Sequence, residues 1–384
     1  MDTPAIWTEL PLVLFRDNVS RDRAMLTKWV DNVSSLPVSM AVECRCPNVL
    51  QHALTQIRQF KTLRLQLHRA SLCVLGPHSH SGLDVENLQV DITDRLNDAA
   101  ISQPYSAFAD SPSLRSFTLV SSTRYTSTIK FSLPWWQLTK LEISEPRLSC
   151  SCMAVFMGCT NLVHLALGML EDFDYDIAPP FPSTFPFLTD ASFLFEDYDS
   201  MTMQEFFRPL TFPSLKHLIL EYADEAWEWP QVEFAAFQLR SSFNLETLQL
   251  EGILLDVADL RGAFESLPSL KSFTIMFVGD RRDACEVFEA LTWDGVHSLL
   301  PQLERLKVRL FMCDDSLRYC IAMLKSRLGR EGGPASQLQF LWLEADEYSR
   351  TREIDWWWWQ WKLPLVFPTL EWKFTKQRLI DDED

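Results

Sequence analysis

Residues 213–220 read PSLKHLIL, residues 268–275 read PSLKSFTI and residues 301–308 read PQLERLKV. In each stretch, apolar residues occupy positions 1, 4 and 6 of a six-residue block that begins at the first leucine. Positions 4 and 6 alternate like the inward-facing side chains of a short β-strand, and position 1 enters the same core from the preceding turn. One such strand cannot bury its apolar face alone, so the block predicts a stack of similar units.

The same block recurs along most of the chain. It starts at residues 60, 85, 114, 138, 162, 188, 215, 245, 270, 303 and 338. The mean spacing of about 28 residues lies in the range of leucine-rich repeats, roughly 20–29 residues. The sequence therefore predicts an α/β fold, a leucine-rich-repeat solenoid with a curved parallel sheet on its concave face and helices and loops on its convex face. The alternative is an ordinary α/β domain with coincidental leucine spacing, which eleven blocks in one register disfavour.

Amphipathic stretches between the blocks predict the return helices. Residues 256–267 and 315–328 each place apolar side chains on one helical face. Residues 202–207 begin with Thr202 and Glu205 at the spacing of a helix capping box. We expect these segments to return the chain from one strand to the next.

Composition divides the chain into three parts. Residues 1–35 are predicted to form an N-terminal helical cap, and residues 36–375 an irregular solenoid. Residues 376–384 end in DDED and predict a solvated acidic tail.

The net charge, the apolar stretches and the cysteine content argue against several classes of partner and of location. A net charge of −17 argues against nucleic acid and against anionic membrane surfaces, both of which need clustered cations. The sequence contains no stretch of about 18 apolar residues, so it predicts no transmembrane helix. The 9 Cys are odd in number and irregular in spacing, which favours reduced thiols and a cytoplasmic or nuclear location.

Motifs that carry chemistry are missing from the sequence. We find no G-x-S-x-G elbow, no phosphate-binding glycine loop and no H-E-x-x-H. Cys150 and Cys152, with Cys159 and His164, superficially suggest zinc, but one-residue spacing fits the usual paired knuckles poorly, and buried thiols are the better interpretation. We predict no catalytic residue, no cofactor and no metal, so the chain is not expected to be an enzyme. An enzyme with an unrecognised site is the remote alternative.

The N-terminal residues read TPAIW at 3–7 and WVDNVSSLPV at 29–38. These two elements resemble the segment just behind the F-box in fungal F-box/leucine-rich-repeat proteins. The resemblance implies the substrate-recognition part of an F-box-type (SCF) ubiquitin ligase subunit, with a ubiquitination substrate as its protein partner. In that family the F-box precedes this segment, whereas this sequence starts at Met1. We therefore expect the ligase adaptor to bind only if an F-box is supplied upstream. A free-standing leucine-rich-repeat scaffold or inhibitor is the alternative.

Positions 3, 5 and 7 of each block are predicted to face the concave side, because side chains alternate across a strand. Arg305, Lys307 and Arg309 place three cations on one strand, and Phe340 and Trp342 follow in the next block. A basic strip beside aromatics suits an acidic or phosphorylated peptide. The alternative is a solvated strand balanced by glutamates of neighbouring blocks. The full set of predicted protein-binding residues is Lys140, Glu142, His164, His217, Glu221, Gln249, Glu251, Arg305, Lys307, Arg309, Phe340 and Trp342.

Trp356–Trp359 and Trp361 form a dense aromatic run near the C-terminus. We interpret the run as a cap over the open edge of the last repeat. An aromatic hot spot for a partner is the alternative.

Overall fold

The structure is a computed structural model that describes the following parts of the chain: residues 9–15, 19–33, 36–44, 47–76, 82–93, 105–121, 131–144, 156–170, 183–195, 206–222, 227–276, 284–293, 299–310, 314–328, 338–345 and 356–376. Several sequence predictions lie outside these ranges: the TPAIW element, Cys150 and Cys152, the capping box of Thr202 and Glu205, and the acidic tail from residue 377 onward. The chain divides into two compact units, Met1–Leu188 (unit 1) and Thr189–Asp384 (unit 2).

Unit 1 is built on parallel strands that follow one another in sequence order. Each strand from β1 to β6 pairs with the strand that follows it, so the series runs from β1 to β7. Its strands are β1 (Glu9–Phe15), β2 (Val38–Cys44), β3 (Gln59–Leu67), β4 (Asp84–Ile92), β5 (Ser116–Ser121), β6 (Lys140–Ser144), β7 (His164–Leu170) and the short β8 (Ser183–Thr184). Its helices are α1 (Val19–Val33), α2 (Pro47–Gln56) and α3 (Arg69–Leu72), with 3-10 turns at Cys73–Leu75 and Trp135–Gln137.

Unit 2 repeats this plan. Its main sheet has the order β9-β11-β13-β15-β16-β17-β18, and every pair in it is parallel. The strands are β9 (Asp190–Phe195), β10 (Leu210–Thr211), β11 (His217–Tyr222), β12 (Trp227–Glu228), β13 (Thr247–Glu251), β14 (Ile253–Leu254), β15 (Ser272–Met276), β16 (Arg305–Leu310), β17 (Phe340–Ala345) and β18 (Glu371–Lys376). The helices are α4 (Gln231–Ser241), α5 (Val257–Glu265), α6 (Ala284–Leu291), α7 (Asp314–Leu328) and α8 (Trp356–Val366).

The register of the strands confirms the predicted α/β solenoid within each unit. Equivalent positions of the block pair with one another, so Leu218 lies beside Leu248, and Leu306 lies beside Leu341. These position-4 leucines are completely buried. The position-3 and position-5 residues between them are half-buried or exposed, which gives the alternating burial of a sheet with one covered face.

Phenylalanine fills much of the core of unit 2. The rings of Phe193 and Phe206 lie 4.7 Å apart, and those of Phe207 and Phe237 are also 4.7 Å apart. Phe237 belongs to α4, so its contact with Phe207 packs that helix against the core side of the sheet. Tilted and edge-on ring pairs of this kind stabilise a core beyond the apolar area that they bury.

The predicted return helices at 256–267 and 315–328 are present as α5 and α7. Asp256 caps α5, since its side chain accepts a hydrogen bond of 2.7 Å from the backbone N–H of Asp259. Arg327 near the end of α7 donates to the carbonyls of Leu291 and Leu299 at 2.7 and 2.6 Å. Burial lowers the pKa of Arg327 to about 10. The guanidinium of Arg327 therefore joins the end of α7 to the end of α6 and to residue 299.

Three longer strands of the described residues, β1, β2 and β18, fall outside the predicted blocks. β1 lies in the segment 1–35, which is therefore not helical throughout, although α1 follows it as expected. Its run ELPLVLF is rich in residues that favour strands, and it pairs with β2 through an irregular register. β18 pairs with β17 and extends the sheet beyond the last block.

Among the described residues, no helix combines the length and the apolar character that crossing a membrane requires.

Candidate protein-binding face

Each sheet has one face covered by the core and one face formed by positions 3, 5 and 7 of the strands, which we call the open face of that unit. All twelve predicted binding residues lie on strands at these positions. Lys140, Glu142 and His164 belong to the open face of unit 1, and the other nine belong to that of unit 2. The two faces differ in how their charges are arranged.

On the open face of unit 1, two cations each lie beside a carboxylate. Lys140 Nζ lies 2.9 Å from Glu142 Oε1 on the same strand, and Thr118 donates to the other oxygen of Glu142 at 3.0 Å. Arg64 on β3 donates to Asp91 on β4 at 3.0 Å. Lys140 and Arg64 therefore have carboxylate partners within the sheet, and Glu43 on β2 adds a further carboxylate to this face.

The open face of unit 2 instead places two carboxylates side by side. Glu221 on β11 and Glu251 on β13 are direct neighbours in the sheet register, and both are half-buried. Burial raises the pKa of Glu221, and the negative charge of Glu251 raises it further. We call these two residues the acidic pair. Like charges that face each other across strands destabilise a sheet.

Cations gather around one tryptophan farther along the same face. Lys307 Nζ lies 3.8 Å from the ring centroid of Trp342, and Lys373 Nζ lies 3.5 Å from it. The two lysines stand on the strands that flank β17, so they approach the indole from its two neighbours in the sheet. Trp342 Nε1 donates a hydrogen bond of 2.7 Å to Thr375 Oγ1, which fixes the orientation of the ring. Together with the exposed Arg305, these residues form the basic–aromatic cluster (Arg305, Lys307, Trp342 and Lys373).

Arg309, the third cation of the predicted strip, has a partner within the sheet. Its Nε lies 3.9 Å from Glu344 Oε1, and the two side chains are only 19% and 14% exposed. This ion pair is the balancing contact that the alternative interpretation of the strip expected. Among the described residues, however, no carboxylate lies within ion-pair distance of Arg305, Lys307 or Lys373. Of the three cations of the strip, Arg309 therefore has a carboxylate partner, whereas Arg305 and Lys307 have none among the described residues.

Lys373 was missed by the sequence reasoning, because β18 lies outside the blocks. A signal was present, since EWKFTK at 371–376 alternates polar and apolar residues with the period of a strand. Position 1 of the block would fall on Thr369, where the other blocks carry an apolar residue. The remaining predicted residues of unit 2 are half-buried: His217 and Gln249 lie on the strands of the acidic pair, and Phe340 lies between Arg305 and Glu371.

The cysteines of the described residues show no arrangement for chemistry. Cys159 is buried, and burial raises its pKa to about 12, so the thiol stays protonated at neutral pH. The described residues contain no group of three or more His, Cys, Asp or Glu side chains placed to hold a metal ion.

The tryptophan run forms the helix α8. Leu363 and, beyond the helix, Phe367 are buried, whereas Trp361 is 73% exposed and Leu365 is 64% exposed. Leu363 and Phe367 therefore join the core, while Trp361 and Leu365 lie at the surface. The side chains of Trp356–Trp359 lie outside what the structure describes, so the cap over the last edge stays a prediction.

No protein-family model matches this chain, and no curated protein matches it either.

Proposed function

We propose that this chain is a protein-binding module of the leucine-rich-repeat type, which holds a partner against the open face of unit 2 and acts without catalysing a reaction. The observation that supports this most is the separation of charge on that face. The acidic pair and the basic–aromatic cluster each bring like charges together, whereas Arg64 and Lys140 on the open face of unit 1 each lie beside a carboxylate. Crowded like charges cost stability, so their retention favours a role in recognising an external partner.

The partner chemistry follows from the basic–aromatic cluster. Lysine and arginine donors suit carboxylate or phosphoryl oxygens, and an indole adds flat apolar area for a neighbouring side chain. An acidic or phosphorylated segment of another protein combines both features.

The test is the binding of a fluorescein-labelled acidic peptide to the intact chain, followed by fluorescence polarisation. The double variant Arg305→Glu and Lys373→Glu is expected to weaken binding about tenfold or more, a change of about 1.4 kcal/mol. Added salt should weaken binding to the parent chain, because exposed charges are screened. Arg318→Glu with Lys325→Glu is the matched control, since both are exposed cations on α7, away from the sheet. Equal binding by the parent chain and the double variant would remove this site.

The resemblance to F-box/leucine-rich-repeat proteins supports a narrower proposal, in which the bound partner is a substrate of a cullin–RING ubiquitin ligase. The test is to read the native transcript for F-box helices upstream of Met1, and to assay capture of the ligase adaptor with and without that sequence. Capture that depends on the upstream helices supports the ligase role. A transcript without them, together with no adaptor capture, would leave a scaffold or an inhibitor.

A further inference from the structure

We propose that the open face of unit 2 binds an extended peptide that carries charges of both signs. An acidic or phosphorylated residue lies over the basic–aromatic cluster, and a basic residue lies over the acidic pair. This inference rests on the proposed function and adds the polarity of the ligand and the spacing of its charges.

The two charged groups are set apart on one continuous set of strands. The strand order β11-β13-β15-β16-β17-β18 places the acidic pair on the first two strands and the basic–aromatic cluster on the last three. The strand between them, β15, presents Ser272, Thr274 and Met276 at the corresponding positions, and none of these is charged. Neighbouring strands lie about 4.8 Å apart, so the two groups are about 10 Å apart at their facing strands, β13 and β16, and about 24 Å apart at their outer strands, β11 and β18.

The acidic pair has no cation beside it in its own row of the sheet. The register places Leu194 next to Glu221 on one side and Met276 next to Glu251 on the other. The next residue along this row is Arg309, and it is held by Glu344. A cation that relieves the repulsion between Glu221 and Glu251 would therefore come from the bound peptide.

The basic–aromatic cluster is built to receive an anion. Trp342 is fixed by its hydrogen bond to Thr375, and its ring holds the ammonium groups of Lys307 and Lys373 close together. Arg305 stands one register step from Phe340 on the same face, with Glu371 one strand beyond Phe340. Among the described residues here, Glu344 is paired with Arg309, so Arg305, Lys307 and Lys373 outnumber the remaining carboxylate, Glu371, and an anionic residue of the peptide completes the charge balance.

The spacing sets the length of the peptide. An extended chain advances about 3.3–3.6 Å per residue, so a span of roughly 10–24 Å corresponds to about three to seven residues. A uniformly acidic peptide or a nucleic acid would meet repulsion at the acidic pair. The surface thus favours a short segment of mixed charge over either of those ligands.

The experiment uses synthetic fluorescein-labelled peptides and the intact chain. Each peptide carries two glutamates at one end and two arginines at the other, with zero, two, four or eight Gly/Ser residues between them. A second series replaces the glutamates with phosphoserine, which distinguishes carboxylate from phosphoryl recognition. We expect the four-residue spacer to bind about fivefold more tightly than the peptide without a spacer, and about fivefold more tightly than a peptide that lacks the arginines. These ratios correspond to the ~1 kcal/mol of a well-placed exposed charge pair.

The double variant Glu221→Gln and Glu251→Gln is expected to lose the advantage given by the arginines and to keep binding to the acidic end. The matched control is Asp91→Asn with Glu142→Gln, which makes the same change of charge on the open face of unit 1. Circular dichroism and a thermal melt confirm that each variant is folded. If peptides without arginines bind as tightly as mixed peptides, this inference is overturned while the proposed function stands. If no peptide with an acidic end binds, both fail.

Discussion

Gly252 follows β13 directly and adopts a backbone conformation that favours glycine, with φ at +71°. A Cβ at this position would lie 2.5 Å from the carbonyl oxygen of Tyr222, which is rigid backbone. The backbone N–H of Gly252 also donates to the Met276 carbonyl at 2.9 Å, so the turn cannot shift without losing that bond. The residue thus allows close approach of the strand ends β11, β13 and β15.

We expect Gly252→Ala to lower the free energy of unfolding by about 2 kcal/mol or more, because it combines left-handed backbone with a steric clash. The measurement is urea unfolding followed by circular dichroism. Gly82→Ala is the matched control, since Gly82 has φ at +84° but nothing within 4 Å of the added Cβ. That variant should lose only the conformational part, about 1 kcal/mol. An equal loss in the two variants would contradict the close approach at Gly252.

At the scale of elements, the strand pair β11–β13 carries the acidic pair at its end. The raised pKa of Glu221 has burial as its first cause and Glu251 as its second. A carboxyl whose pKa is higher in the folded state than in the unfolded chain binds its proton more tightly when folded. Its ionisation therefore costs stability as the pH rises through the folded pKa, and this cost is absent below the unfolded pKa.

Glu221→Gln is accordingly expected to raise the melting temperature at pH 7, with the gain shrinking as the pH falls toward 4. Glu246→Gln is a control for which the opposite change in melting temperature is expected. Hydrogen bonding to Lys271, 2.9 Å away, is the first cause that lowers the pKa of Glu246, so its removal should lower the melting temperature at pH 7. That loss should also fade at low pH, because the carboxyl is then protonated. Melting curves at both pH values check both variants, and a Glu221→Gln chain that melts lower at pH 7 would contradict the like-charge account.

The elements that the sequence predicts best are those whose strands repeat the leucine block. β11, β13, β15, β16 and β17 fall where the blocks place them, because a period of two with one buried face is visible in the residues themselves. β18 was missed because Thr369 interrupts the block pattern, although the strand has the same alternation. A strand that pairs at the edge of a sheet needs less of the repeat pattern than one in its middle.

Part of the candidate site could be predicted from the same alternation of side chains along a strand. Which residues share the open face follows from alternation, so Arg305, Lys307 and Trp342 could be placed together from the sequence. Which charges neutralise one another could not, because that depends on side-chain conformation across strands. Arg309 reaches Glu344, while Lys307 turns to the indole of Trp342 from the same strand.

At the scale of the whole molecule, the two units share a plan and differ in surface. Each is a set of parallel strands in sequence order with helices between them, and each buries its leucines in the same register. Stacked units of this kind draw their stability from contacts with their neighbours, which leaves the open face free to vary. The open faces of both units carry ion pairs, and that of unit 2 also carries the acidic pair and the basic–aromatic cluster on separate strands.

The central claim is that the open face of unit 2 is a binding surface, and amide hydrogen exchange of the intact chain with and without a mixed-charge peptide tests it most directly. We expect the peptide to slow exchange in β11, β13 and β16–β18, and to leave the strands of unit 1 and the helices α5 and α7 unchanged. Protection confined to the helices, or to the open face of unit 1, would contradict the claim.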